Sequence, residues 1–257
     1  MRHAFSLVEL SIVLVILGLL TGGILTGQSL IRAAELRSVT TEYNRFQTAI
    51  QSFRNKYFAL PGDMRNAITF WGDDVTNCSD GVAGNNGSPG TCNGNGDGIY
   101  SSPASGNATG ETFQFWKQLG LAGLVEGTYT GLAGSAGGRD YDHGINSPAS
   151  KFPNAGWGVW YLKTVGTTGV NYDFAVFDGN VLTVGGDDGN VGSDYRVFSG
   201  EEAWNIDTKI DDGKPGYCKL IGSTIGSCTT ETRIENFATA QYNLTVSGAA
   251  CSLRFKL

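Results

Sequence analysis

LSIVLVILGLLTGGILTGQSLI, residues 10–31, runs without a break into RAAELRSVTTEYNRFQTAIQSFRNKYFALPG, residues 32–62. The first stretch has no charged residue over 22 positions. As a helix rising ~1.5 Å per residue it is roughly 33 Å long, enough to cross the ~30 Å hydrocarbon core of a bilayer. In the second stretch Val39, Tyr43, Phe46, Ile50, Phe53 and Tyr57 recur at alternating steps of four and three. That spacing aligns an apolar stripe along one helical face. Leu60-Pro61-Gly62 ends the pattern, because proline lacks the amide donor and restricts the residue before it. The two stretches predict one helix within residues 5–60. Residues 5–31 form a membrane or assembly half and 32–60 an amphipathic half, laid on a head made by 61–257.

The rest of the chain bounds what that head does. Of 257 residues 40% are hydrophobic and only 16% charged, with 38 glycines, a mixture that suits a loop-rich head containing β-structure. The net charge is -6 with no basic run, so a phosphate-neutralising groove for nucleic acid is not expected. Five cysteines stand at 78, 92, 218, 228 and 251, none in a CxxC pair, and they read as disulfides of an oxidising compartment rather than zinc ligands. Any one of the five can be left over, and the remaining four pair in three ways. The expected set is Cys78–Cys92 across a glycine-rich loop and Cys228–Cys251 at the last strand, with Cys218 free.

Glu9 stands directly before the apolar run, where a carboxylate is costly in lipid without a partner. No A-x-A cleavage site follows the run, which counts against a secretory signal peptide. Residues 4–18, AFSLVELSIVLVILG, resemble the prepilin motif of type IV pilins and type II secretion pseudopilins. The resemblance implies cleavage after Ala4, leaving 1–4 as a leader. It also implies methylation of the new amine on Phe5, and an assembly role for Glu9 at the fifth position of the processed chain. The implied partners are copies of the chain or other pilins in a helical filament, a prepilin peptidase and methyltransferase, and an inner-membrane assembly platform. The implied site is the inner membrane, crossed once with the N-terminus cytoplasmic and the head periplasmic, and afterwards a filament. Alanine stands at position 4 where glycine is usual. The helix-breaking proline of many pilins is missing near Thr26, where Gly22, Gly23 and Gly27 are expected to loosen the helix instead. Residues 58–63, 205–213 and 251–257 resemble stretches of large pilin-like proteins of Gram-negative bacteria.

In the head, Glu111 to Leu124 reads as a helix, and Ser199 as the N-cap of another that runs to Ile210. Strands are expected at 157–163, 172–177, 180–184, 219–222, 241–246 and 252–257, with Asp178-Gly179 turning a hairpin. The fold class is α+β, a long N-terminal helix on an antiparallel sheet.

Asn93, Asn95 and Asp97 alternate with glycine, which aims several oxygens at one point as Ca²⁺ prefers. Position twelve of such a loop is Ala104, so Glu111 is the candidate fourth ligand; an Asn/Gly turn explains the same spacing. The resemblance makes calcium relevant, since related major pseudopilins bind it in their heads. No cofactor is required by this reading. An enzyme needs a nucleophile with a base, and His143, the one histidine beyond the leader, is expected at the surface of a loop. The sequence therefore favours a structural filament subunit, with a filament-tip binding protein as the alternative and catalysis disfavoured.

Overall fold

The computed structural model describes residues 7–74, 76–78, 90–102, 110–135, 139–163, 178–187, 189, 194–216, 218–222, 227–231 and 236–257. Helix α1 is continuous over Leu7–Tyr57. Gly22, Gly23 and Gly27 do not interrupt it. A glycine raises the cost of helix without forbidding it, and nothing lies near a hypothetical Cβ at any of the three. The helix divides as its two stretches predict. Residues 36, 39, 42, 43, 46, 49, 50 and 53 are buried against the head, whereas everything from Leu7 to Leu25 is exposed.

Behind the buried stripe lies a four-stranded antiparallel sheet ordered β1-β2-β4-β3, with β1 Gly156–Leu162, β2 Gly179–Gly185, β3 Leu220–Gly222 and β4 Leu253–Lys256. Strand periodicity sends Trp157, Val159, Leu182, Val184, Leu253, Phe255 and Leu220 to the face covered by α1. Tyr43 stacks on Phe255 at 4.4 Å, and Phe46 sits edge-on to Trp116 and Trp157 at 5.1 and 5.2 Å. The opposite face is also covered: Trp160, Leu162, Val181, Ile221 and Ala240 form a second, smaller cluster. Trp160 is therefore buried.

Helices α2 (Ala67–Trp71), α3 (Glu111–Leu121) and α4 (Gly200–Ile210) complete the head. Ser199 caps α4 with a full capping box, accepting from the Glu202 amide while Glu202 accepts from its own. The structure joins Cys78 to Cys92 and Cys228 to Cys251, with Cα separations of 5.4 and 4.9 Å, and leaves Cys218 free.

Two strand expectations need correction. Residues 241–246 do not form a strand, and only Tyr242 makes a bridge, to Thr229. Asn243 turns its side-chain oxygen onto the amide and hydroxyl of Thr245, a local bond that competes with ladder pairing. Gly179 stands in β2 opposite Leu162 rather than in a turn. The expected strand at 172–177 lies outside the described residues.

Candidate functional site

The exposed half of α1 holds most of the exposed large apolar side chains among the described residues. Leu7, Val13, Ile16, Leu20, Ile24 and Leu30 all face outward, and the helix is long and apolar enough to cross a membrane. Its hydroxyl side chains are satisfied internally. Ser11, Thr21, Thr26 and Ser29 each donate to a carbonyl three or four residues back, to Val8, Leu17, Gly22 and Thr26 respectively. A hydroxyl closed onto its own helix can lie among hydrocarbon groups without an unmet donor. Glu9 lies in the first turn of this exposed half, while Ala4 and Phe5 fall outside the described residues.

Where the uncharged run ends, Arg32 docks the helix to the head. Its guanidinium forks onto Glu202 of α4 at 2.5 and 3.0 Å, reaches Glu35 at 3.1 Å, and lies 4.2 Å over the Phe152 ring. Burial pushes the Glu202 carboxyl up, but Arg32 and the Ser199 cap together hold it below the usual carboxylate range. Nearly three turns further on, Glu42 is 8% exposed and accepts from Trp157 Nε1 and Ser150 Oγ, both at 2.7 Å, and from the Lys151 amide at 2.9 Å. A buried carboxylate thus fastens α1 to β1 and the loop before it. Sequence reasoning passed over Glu42, although it lies three residues after Val39 on the buried face.

The second candidate is the loop from Cys92 to Ser101. Asp97 and Glu111 come together there with Asp63, one oxygen of each lying within 4.8 Å of the others. The chain wraps these carboxylates in its own donors. Gly96 and Gly98 amides donate to Asp63 at 2.5 and 2.8 Å, Asn95 and Ser101 amides to Glu111 at 2.9 and 3.1 Å, and Ile99 to Asp97 at 2.8 Å. So close a wrap requires glycine: a Cβ on Gly94 would lie 2.4 Å from Asp63 Cα. The amides offset part of the repulsion among three carboxylates, and each carboxylate keeps lone-pair capacity for a divalent cation.

The predicted asparagines serve the loop itself. Asn93 Oδ1 accepts from the Ile68 amide at 3.1 Å, and Asn95 Oδ1 from the Asp97 amide at 2.8 Å. Asp63 was missed as a possible ligand because it is thirty residues upstream, in the Pro61-Gly62-Asp63 turn. His143, expected at the surface, is partly buried, its ring packed so closely on Gly156 that a Cβ there would overlap it. Burial lowers its pKa.

Compared with known proteins, the chain matches no family model, no curated protein and no solved structure.

Proposed function

We propose that this chain is a non-enzymatic structural subunit, major or minor, of a type IV pilus or type II secretion pseudopilus. In this reading it is cleaved after Ala4, methylated on Phe5 and assembled through α1. The observation that carries it is the division of labour along one unbroken helix. Eight residues between Leu36 and Phe53 are buried in the head, while the largely apolar stretch from Leu7 to Ile31 is exposed apart from a partly covered Gly27. Such a surface is not stable in water. It suits lipid before assembly and the same segment of neighbouring copies afterwards, with the head outside the cytoplasm throughout.

Glu9 supplies register. Among packed apolar helices its carboxylate is expensive unless neutralised. The Phe5 amine of an adjacent copy, shifted along the axis, meets that need where its own does not. Glu9→Gln and Ala4→Arg should both leave a membrane-bound chain with a folded head, absent from sheared filaments. Normal incorporation of Glu9→Gln would defeat the charge pairing, and incorporation of an uncleaved Ala4→Arg chain would defeat the processing step. A wild-type chain scarce in sheared filaments yet present at their ends would favour the tip-binding alternative.

The loop of Asp63, Asp97 and Glu111 is proposed to take Ca²⁺ as a fastener of the head rather than as a cofactor of any reaction. Its support is the convergence of three carboxylates on one point.

A further inference from the structure

A groove of about 590 Å³ runs beside α1, between the helix and the loops at 126–129 and 148–151. It begins just beyond the uncharged run, with Ala34 and Arg37 at one end and Arg45 at the other. The charged groups around it are not equivalent. Glu42 has both oxygens occupied by Ser150, Lys151 and Trp157. Arg45 faces Glu126 at 4.0 Å. Arg37 and Lys151 are exposed, and neither has a carboxylate partner among the described residues. Two unpaired cations share this groove on a chain whose net charge is -6.

Their height matters. If residues 10–31 fill the hydrocarbon core, Arg37 lies six residues past its edge, about 9 Å along the axis. A headgroup layer is roughly 5–7 Å deep on each side, and an arginine side chain extends about 6 Å, so the Arg37 guanidinium reaches phosphate level, and Lys151 lines the same groove. Arg32 sits lower still but is taken up by Glu35 and Glu202.

We propose that this groove holds the phosphate headgroup of an anionic lipid between the Arg37 guanidinium and the Lys151 ammonium. The inference rests on the membrane-spanning reading of α1. Guanidinium and ammonium groups match phosphate oxygens in charge and donor number. Ala34 and Pro148 line the same groove and offer apolar contact to the lipid's glycerol end. The bound lipid would hold the head upright against the surface and leave the groove when the helix is drawn out of the bilayer.

The full chain should be reconstituted into phosphatidylcholine vesicles with and without phosphatidylglycerol. Flotation reports insertion, and spin-labelled lipids of each type report selectivity at the protein surface. The expected wild-type result is insertion into both, with phosphatidylglycerol preferred several-fold. Arg37→Gln and Lys151→Gln should each reduce that preference, by up to about fivefold per cation, while Arg54→Gln, far along α1, should not. An inserted wild type with no preference overturns the proposal, as does an undiminished preference in the double variant. If the double variant keeps its lipid preference but no longer enters filaments, the groove belongs to a second copy instead. Failure to float with either vesicle defeats the membrane-spanning reading itself, and this inference with it.

Discussion

Replacing Glu42 with glutamine tests whether α1 is bolted to the head by a buried carboxylate or merely packed on it. The side chain keeps its length, so no cavity opens. Glu42 accepts on both oxygens, from Trp157 and Ser150 on one and from the Lys151 amide on the other. Glutamine has a single acceptor oxygen. Its best orientation serves Trp157 and Ser150 and turns an NH₂ group toward the Lys151 amide, donor against donor. Stranding one part-buried donor costs ~1–3 kcal/mol, and changing two charge-assisted bonds to neutral ones costs about 1 kcal/mol more in all. The expected loss is about 3 kcal/mol, or roughly 6–12 °C in Tm for a head of this size. Near-UV circular dichroism of the full chain in detergent follows the melt through its buried aromatics. Glu35→Gln is the control, since its partly exposed pair with Arg32 spans one helical turn and is worth under ~1 kcal/mol. If Glu42→Gln melts no lower than Glu35→Gln, apolar packing alone holds the helix and the reasoning fails.

Phe58 follows α1 with φ 54° and is 93% exposed. A left-handed residue strains an L side chain, so Phe58→Gly should stabilise by roughly 0.5–1 kcal/mol in chemical denaturation; a loss would mean the ring makes an unrecognised contact. Adding Ca²⁺ should raise the melting temperature of the head by linkage, and Asp97→Ala should remove that increment; no shift in the wild type would leave the loop a turn. Asp207 is buried beneath Tyr242, and burial, reinforced by Asp211 and Asp212, raises its pKa to about 7 against the hydrogen bonds from Tyr242 and Gly213. The folded chain then holds a proton that the unfolded chain releases near its ordinary value of 3.8. Its contribution to stability is therefore full below that value and declines as pH rises toward 7. Asp207→Asn should flatten that decline, and an unchanged pH profile of stability would place the titration elsewhere.

Legibility followed the range of the forces involved. The 22-residue uncharged run and the stripe from Val39 to Tyr57 are local patterns, and they return as one helix with an open half and a buried half. Ser199 with Glu202 is equally local, because an N-cap and its reciprocal partner lie three residues apart. The alternation at 241–246 misled because Tyr242 is buried by its bond to Asp207, 35 residues away, while Leu244 is left exposed. Alternation arising that way is not a strand's pleat.

Sequence alone determined that a long helix leads, that its first half seeks an apolar surrounding, and that an α+β head follows. Only the tertiary structure decided that β4 lies between β2 and β3, that Asp63 joins Asp97 and Glu111, and that Glu42 is spent on Trp157. Helical periodicity, hydropathy and caps act within a few residues and are written into neighbouring letters. The β4 pairings, the approach of Asp63 to Asp97 and the Glu42–Trp157 bond join residues 31 to 115 positions apart, and many pairings satisfy the same composition. Phe255 of the last strand stacks on Tyr43 of α1, while β4 pairs with β2 on one side and β3 on the other, a choice that only long-range packing makes.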